Sequence, residues 1–284
     1  MDFVTIDVET ANADMSSICQ IGIAGFKDGV LSDQFSTYVD PEDYFSSINT
    51  SIHGITKNMV FGSPSIPSLT EEISQWFSNR IVISHTHFDR LAITKAFSKY
   101  ELAPPQCTWL DSCRIARQVW PELKGNGGHG MKNLAKYLNI EFKHHDALED
   151  AKATGHVVLQ ALEKSQLNLQ NLLSSTSSKK SYKYDSVKRE ANPDGSLFGE
   201  VIVFTGALQI PRREAVDLAA NAGCQVATSV TKKTTILVVG DQDISKLSNT
   251  TKSAKHEKAE VLIEKGAQIQ ILRETDFKSL VELE

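Results

Sequence analysis

Strict alternation of apolar and polar residues opens the chain and predicts a β-strand over residues 3–10. Successive side chains of a strand point to opposite faces, so Asp7 and Glu9 project together while the alternating apolar residues project from the other face. An edge strand with two solvated acids has this pattern, and so does a strand that presents two carboxylates to a cation. The pair alone does not separate these interpretations.

The next hundred residues continue as an α/β pattern. Segments 18–26 and 30–39 predict two strands joined by an Asp-Gly turn, which indicates a hairpin. Segment 51–56 predicts a short loop that enters a helix capped by Thr56. A buried strand over 80–85 is followed by a helix that starts near Asp89. At such a position an acid either faces a cleft or only stabilises the helix dipole.

Segment 144–151 predicts the start of a long helix. Asp146 and Glu149 have capping-box spacing, so Asp146 is expected to start a helix that runs on through Leu162. Asp150 then lies in the first turn and His145 just before it. A histidine beside a metal-binding carboxylate can accept a proton at neutral pH, whereas the alternative interpretation is only an acidic helix start.

A Ser-, Lys- and Asn-rich stretch from 174 to 195 predicts a flexible linker. Beyond it strands and helices alternate again, which favours a small parallel sheet. The chain is therefore expected to hold two α/β domains, at 1–165 and 196–284, joined by a helix end and linker at 166–195. The predicted strands and helices of the second domain are 201–205, 225–227, 236–240 and 269–272, and 212–222, 255–266 and 274–281.

Composition is that of a globular protein, 40% apolar and 23% charged. No apolar run approaches the ~20 residues of a membrane span, so no membrane partner is expected. Four cysteines without a Cys-x-x-Cys pair, and no secretory signal, predict a cytoplasmic protein without disulfides or zinc. Residues 1–165 carry 14 Lys and Arg against 20 Asp and Glu, a net −6. Bulk charge therefore does not favour nucleic-acid binding here, although bound cations would invert the local field.

Taken in order, Asp7-x-Glu9, Asp89 and His145-x-x-x-x-Asp150 resemble the motifs of the DEDDh family of 3′→5′ exonucleases. The first half is thus similar to the proofreading epsilon subunit of bacterial DNA polymerase III. Three separated motifs in the right order make this resemblance specific, where each motif alone is weak. Supporting pieces are Glu9-Thr10, His53-Gly54-Ile55-Thr56, Ser84-His85-x-x-Phe88-Asp89 and Leu110-Asp111-Ser112.

This resemblance implies an RNase H-like fold, a mixed five-stranded sheet flanked by helices, over about residues 1–163. The four acids Asp7, Glu9, Asp89 and Asp150 would hold two Mg²⁺ or Mn²⁺ ions. His145 would be the general base, because the base position of the tyrosine branch holds an aspartate here.

Some matched positions are less decisive. His144 is a neighbouring alternative to His145 as the base. Thr10, His53 and Phe88 lie in motifs that the resemblance associates with nucleic-acid binding. Thr86 stands where the family usually has Asn, with little effect expected on metal binding.

The second half, about 196–284, resembles a BRCT domain of the type found in bacterial NAD-dependent DNA ligase. By that resemblance Thr205, Gly206, Arg213 and Lys255 would cup a phosphate, with a hydroxyl, a backbone N–H and two cations. Solvated cations beside a simple turn are the alternative. The motifs that carry the match are Phe204-Thr205-Gly206, Arg213-Glu214, Ala222-Gly223, Val230-Thr231-Lys232-Lys233-Thr234, Leu237-Val238-Val239-Gly240 and Lys255-x-x-Lys258-Ala259.

Together these resemblances imply a 3′→5′ exonuclease that releases nucleoside 5′-monophosphates, with DNA 3′ ends as preferred substrate. The BRCT module would bind DNA ends or a replication or repair protein. An RNA-trimming exoribonuclease would use the same metal site and stays an alternative. A non-catalytic BRCT adaptor is disfavoured, because all five expected polar residues of the nuclease motifs are present.

Overall fold

A computed structural model describes residues 2–123, 128–169, 171, 190–240 and 253–282. Two compact units are present. The first comprises Met1–Ala11, Met15–Phe45 and Ile55–Lys183, and the second comprises Asn12–Asp14, Ser46–Gly54 and Tyr184–Glu284. Most of the predicted linker, up to residue 189, lies outside the described residues, as do 124–127 of the glycine-rich stretch. The domain bounds 1–165 and 196–284 therefore stay a prediction.

Strands and helices occupy nearly the segments that their patterns predict. The first sheet contains β1 (Asp2–Thr10), β2 (Ile18–Lys27), β3 (Val30–Tyr38), β4 (Ile81–Ser84) and β5 (Thr108–Asp111). The helices up to residue 165 are α1 (Ser47–His53), α2 (Lys57–Val60), α3 (Ile66–Phe77), α4 (Phe88–Lys99), α5 (Ser112–Val119), α6 (Met131–Leu138) and α7 (Ala147–Ser165), with a 3₁₀ turn at Pro121–Leu123. Beyond them lie β6 (Val201–Thr205), α8 (Arg212–Asn221), β7 (Gln225–Ala227), β8 (Ile236–Val239), α9 (Ala254–Glu264), β9 (Gln270–Arg273) and α10 (Glu274–Glu282).

The first sheet has the strand order β3-β2-β1-β4-β5. Strand β1 is its centre, antiparallel to β2 and parallel to β4, so this five-stranded sheet is mixed as expected. Strand β1 pairs with β2 along its length, whereas its pairing with β4 covers Val4 and Thr5, and its apolar residues are buried. The side chains of Asp7 and Glu9 project across one face of the sheet.

Helix α7 packs closely against this sheet because two glycines leave room for it. A Cβ on Gly22 of β2 would overlap the backbone of Ala147 and Leu148 at the start of α7. A Cβ on Gly155 would overlap the ring of Phe26, which stacks on Phe3 with ring centroids 5.0 Å apart. These contacts fix how deeply the first turn of α7 sits on β2.

A buried hydroxyl adds a polar link between the same elements. Thr5 Oγ1 donates to the carbonyl of Ala151 at 2.7 Å, across 146 residues of chain. Thr5 is fully buried, so water could not replace this hydrogen bond if it were lost.

The second sheet has the order β7-β6-β8-β9, and every pair in it is parallel. Strands β6 and β8 are almost wholly buried, as expected for the inner strands of a parallel sheet. The predicted parallel α/β sheet of the second half is confirmed.

One local prediction was wrong, because residues 51–53 belong to helix α1 rather than to a loop. Thr56 occupies the N-cap of α2 as predicted, without a side-chain capping bond. Asp146 occupies the N-cap of α7 as predicted, and its side chain also makes no capping bond. Gln20 Oε1 on β2 instead accepts the N–H of Ala147 at 3.2 Å. The spacing rule located the helix start, while a distant strand supplies the cap. In the part of the chain described, no helix has the length and apolarity needed to cross a membrane.

We expect Gly22→Ala to lower the free energy of unfolding by about 1–3 kcal/mol or more, since the added methyl meets backbone that cannot rotate away. Gly130→Ala is the matched control, because a Cβ there has no heavy atom within 4 Å. Urea unfolding of the three proteins measures the difference. Equal losses in both variants would mean that the close approach of α7 is not tight.

Candidate active site

Asp7 and Glu9 lie on one face of the central strand, as the alternation predicts. Both side chains are half-buried, and Val8 between them is buried on the opposite face. The pairing of β1 with β2 shifts register between Glu9 and Thr10, so an irregularity falls directly at the end of the acidic pair. Such bulges commonly re-aim side chains beside functional sites.

Asp150 reaches the same place from the first turn of α7. One carboxylate oxygen each of Asp7, Glu9 and Asp150 lie within 4.8 Å of one another. Asp150 Oδ1 is 2.8 Å from Nδ1 of His144, and Oδ2 accepts the backbone N–H of His145 at 2.7 Å. Asp150 itself is 5% exposed, so these contacts hold it in a nearly dry setting.

Asp89 completes the group from the start of α4. Its Oδ1 accepts the backbone N–H of Val8 at 3.0 Å, so its carboxylate lies against β1 at the residue between Asp7 and Glu9 in sequence. Asp89 is 3% exposed. Three elements that are far apart in sequence, β1, α4 and α7, therefore bring the four acids together.

The electrostatics of the cluster are those of crowded like charges. Burial raises the pKa of Asp7 well above its ordinary range, and the charges of Asp89, Asp150, Glu9 and Asp146 raise it further. Burial followed by the charges of Asp150 and Asp89 likewise raises the pKa of Glu9. For Asp89 burial raises the pKa to about 7, although the Val8 N–H works in the opposite direction. The cluster therefore resists full ionisation on its own.

These acids fit a divalent cation. All the donors are carboxylate oxygens, which suit hard cations such as Mg²⁺ or Mn²⁺. A cation would also offset the repulsion and burial that raise the pKa values of Asp7, Glu9 and Asp89. Asp7, Glu9, Asp89 and Asp150 are therefore the residues that would hold it.

His145 stands at the rim of this cluster. Its Nδ1 is 3.8 Å from Glu9 Oε1, and its side chain is 27% exposed. The backbone has φ +66°, which is uncommon for a residue with a side chain. The ring stacks on that of His144, with centroids 4.0 Å apart and an angle of 15° between the planes. Both candidate histidines thus lie beside the acids.

The turn before Asp89 is held by Asp111, a residue to which the sequence motifs alone assign no role. Thr86 has φ +80°, and its N–H donates to Asp111 Oδ1 at 3.1 Å. The same Asp111 oxygen accepts the N–H of Cys113 at 2.8 Å, and so caps helix α5. The signal was present in Leu110-Asp111-Ser112, but only as part of a motif. Asp111 ties α5 to the turn that presents Asp89.

The three positions matched to nucleic-acid binding are placed as follows. Thr10 is buried at the end of β1, one residue beyond Glu9. Phe88 is half-buried and opens helix α4, next to Asp89. His53 is half-buried and ends helix α1, which belongs to the second compact unit. Thr10 and Phe88 therefore adjoin the acids in sequence and structure, and all three nucleic-acid roles stay predictions.

The second unit gathers polar groups at the end of β6. Thr205 Oγ1 and Ser253 Oγ are 2.7 Å apart, and Ser253 caps helix α9. Lys255 Nζ donates to the carbonyl of Phe204 at 3.0 Å. Arg212 donates to the same carbonyl at 3.0 Å. Its second nitrogen donates to the Gly206 carbonyl at 2.7 Å.

Of the predicted phosphate cup, Thr205, Gly206 and Lys255 come together, with Arg212 beside them. Arg213 is exposed on α8, and no bond from it to this turn is seen among the described residues. Adjacent helical positions point about 100° apart, so the one-residue difference changes which cation faces the turn. Lys255 has a pKa lowered first by burial and then by the Arg212 charge.

A buried acid braces the loop that leads from this turn to α8. Both carboxylate oxygens of Glu274 accept backbone N–H groups, from Gln209 at 2.6 Å and Ile210 at 2.8 Å. Glu274 is fully buried, and Lys278 approaches it at 3.5 Å. The loop conformation is thereby fixed by a residue 64 positions beyond Ile210.

Comparison with known proteins adds two family matches. A model described as "Exonuclease" (RNase_T) matches residues 4–158, which contain all five predicted nuclease residues. A model described as the BRCA1 C-terminus (BRCT) domain matches residues 198–266. The predicted likeness of each half is thus confirmed at the level of the family.

Among curated proteins, a DNA polymerase III PolC-type of Oceanobacillus iheyensis is 28% identical over 166 residues. This match covers 57% of the present chain but 11% of that protein, so the chain spans about a tenth of its relative. The fold of the first half is shared with Exonuclease I from Methylocaldum szegediense, at TM-score 0.52, 18% identity and coverage of 62% and 42% of the two chains. The fold is also shared with the nuclease domain of 3′hExo, described as a DEDDh family member bound to rAMP. That comparison has a TM-score of 0.50 and 16% identity, and it covers 57% of the present chain and 92% of the other.

Because the acids have raised pKa values in the folded state, their stabilising effect is full below the ordinary carboxyl pKa of about 4 and is lost as pH rises. For Asp89 this loss begins at about pH 4 and is complete near pH 7, where its folded-state pKa lies. We therefore expect the cation-free protein to lose stability between about pH 4 and pH 7, and Asp7→Asn to lose less.

Urea unfolding in a chelator, across that pH range, measures the effect. Asp2→Asn is the control, because Asp2 is exposed at the start of the same strand. Added Mg²⁺ should stabilise the wild-type protein at the alkaline end. Parallel pH profiles for wild type and Asp7→Asn would refute the crowding of charges.

Proposed function

The chain belongs to the RNase_T exonuclease family, and on that basis we propose that it is a divalent-metal-dependent 3′→5′ exonuclease of the DEDDh type acting on DNA. The convergence of Asp7, Glu9, Asp89 and Asp150 beside His145 carries this proposal. A folded remnant without activity would have no reason to keep two buried and two half-buried acids together against their own repulsion.

Hydrolysis of a phosphodiester requires water to attack phosphorus in line with the leaving 3′-oxygen. The P–O3′ bond breaks, a P–O bond to water forms, and the water loses a proton. The products are a nucleoside 5′-monophosphate and a strand shorter by one nucleotide, with a 3′-hydroxyl.

His145 is the proton acceptor in this proposal. Its ring stands at the rim, partly exposed, where an incoming water can reach it. The Asp150 carboxylate holds the backbone of His145 through the 2.7 Å bond to its N–H, which fixes where the ring begins. Two Mg²⁺ or Mn²⁺ ions, held by the four acids, would offset the negative charge of the reacting phosphate and make water easier to deprotonate.

DNA is the proposed substrate because the sequence relative is a DNA polymerase. RNA would meet the same acids, so the substrate has to be tested directly. The acidic surface of the first half makes bound cations, rather than bulk charge, the attraction for the strand end.

For the second unit we propose a phosphate site at Thr205, Gly206, Arg212 and Lys255, which would take the 5′-phosphate of a DNA end. Two cations approach one carbonyl, and helix α9 begins at the same place. An anion there would gain from both charges and from the helix start. Arg212, rather than the sequence-matched Arg213, is the second cation of this proposed site, because its guanidinium reaches the carbonyls of Phe204 and Gly206. If this unit does not bind the 5′-phosphate of DNA, binding of a replication or repair protein is the alternative role.

A nuclease assay with 5′-labelled single-stranded DNA, duplex DNA and RNA tests the first proposal. With Mg²⁺ or Mn²⁺ we expect DNA to shorten stepwise while the label stays on the long products, and a chelator to stop the reaction. Asp7→Asn should lower the rate by about 10²–10³-fold, the usual cost of losing charge stabilisation in a transition state. Asp2→Asn should match wild type. Faster degradation of RNA than of DNA would contradict DNA as the substrate. Early release of the 5′ label would contradict the 3′→5′ polarity.

Binding to duplexes with and without a recessed 5′-phosphate, in chelator and at several salt concentrations, tests the second. The double change Arg212→Gln, Lys255→Gln keeps hydrogen-bond donors but removes both charges. It should flatten the salt dependence by about two counterions. Arg213→Gln is the control and should change it less. Equal affinity for both duplexes in the wild type would refute the phosphate site.

A further inference from the structure

Asp150 differs from Asp89 in how its carboxylate is held. Both oxygens are engaged by the two residues just before its own helix, His144 through a ring nitrogen and His145 through its backbone N–H. An ionised carboxylate oxygen can accept two hydrogen bonds, so each oxygen keeps capacity for a cation. The carboxylate can therefore be fixed in direction without being withdrawn from the site.

The contact with His144 places a ring nitrogen where it can donate to the acid. In the ionised form that would bind a cation, Asp150 only accepts hydrogen bonds, so Nδ1 of His144 would be the donor across the 2.8 Å separation. A metal-binding carboxylate is commonly oriented in this way by a hydrogen-bonded neighbour, and loss of such a neighbour weakens the site. His144 thus has the donor and the geometry for that role.

The rest of the His144 ring is held by aromatic contacts. It stacks on His145 at 4.0 Å, and the ring of Phe142 lies 5.4 Å away at an angle of 54°. Its side chain is 27% exposed, like that of His145. Histidine at 144 therefore does two separable things, donating to Asp150 through Nδ1 and supporting the His145 ring through its face.

We propose that His144 is a positioning residue that orients Asp150 for the divalent cation, while His145 alone accepts the proton. This inference rests on the proposed function and adds a division of labour between adjacent histidines. It predicts that the two histidines affect different measurements. His144 acts on cation affinity through its donor, and His145 acts on turnover.

Two substitutions separate the donor from the ring. His144→Asn places an amide N–H near the position of Nδ1 but removes the ring. His144→Phe keeps a ring and removes the donor. Titration calorimetry with Mn²⁺ alone should show about 10- to 100-fold weaker binding for His144→Phe, and near wild-type binding for His144→Asn.

His145→Ala is the comparison within the site. It keeps the backbone N–H that Asp150 Oδ2 accepts, so Mn²⁺ affinity should stay near wild type while kcat falls by about 10²–10⁴-fold. His156 supplies the matched control, because it is an exposed histidine on α7 beyond the cluster. His156→Asn and His156→Phe should leave Mn²⁺ affinity unchanged. Thermal unfolding of each variant checks that it is folded.

Wild-type Mn²⁺ affinity in folded His144→Phe would overturn the positioning role. Equal weakening in His144→Asn and His144→Phe would overturn the assignment to the donor. A kcat loss in His144→Asn as large as in His145→Ala, with Mn²⁺ affinity intact, would make His144 the base instead. Failure of the proposed function is distinguishable, because the wild type would then bind Mn²⁺ without degrading DNA.

Discussion

Mutual repulsion among buried carboxylates is the constraint around which the first unit is built. Asp7, Glu9, Asp89 and Asp150 would separate if left to themselves, and burial makes their charges more costly still. Packing elsewhere opposes this: the central strand is locked between two neighbours, and α7 is seated on β2 by the absence of a side chain at Gly22. Stability is thus spent to keep a site that only a cation completes, as expected where function rather than folding selects the residues.

The same site holds two side-chain-bearing residues in the left-handed region, Thr86 with φ +80° and His145 with φ +66°. Such conformations cost about 1–3 kcal/mol each and persist where surrounding contacts over-determine them. The carboxylate of Asp111 holds the first through its N–H, and Asp150 holds the second in the same way. In both places an acid receives the N–H of a strained residue, and in both the strained turn leads into a helix that carries a ligand acid. Backbone strain and charge placement are therefore parts of one arrangement.

The local pattern of apolar and polar residues predicts the features that depend on local backbone geometry alone. Alternation in β1 predicts that Asp7 and Glu9 share a face, and the strand–helix boundary places Asp89. The local pattern does not predict contacts between segments that are distant in sequence. The cap of α7 comes from Gln20, 127 residues before Ala147, because β2 passes under the helix start. The cation that reaches the second-unit turn is Arg212, since helix phase, and not motif spacing, decides which of two adjacent exposed arginines contacts its carbonyls. Family resemblance identified the motifs, while three-dimensional packing assigned the contacts.

Like-charge crowding occurs in both units with opposite sign. In the first, burial and then the neighbouring carboxylates raise the pKa of Asp7, and in the second, burial and then the Arg212 charge lower the pKa of Lys255. On the proposed function, a cation would relieve the first crowding and an anion the second. A DNA end with its divalent cations would present both. Neither proposed site would then need a strongly charged surface to attract its ligand. Charges of the same sign, held close by folding, would give each proposed site an affinity that the net charge of −5 does not suggest.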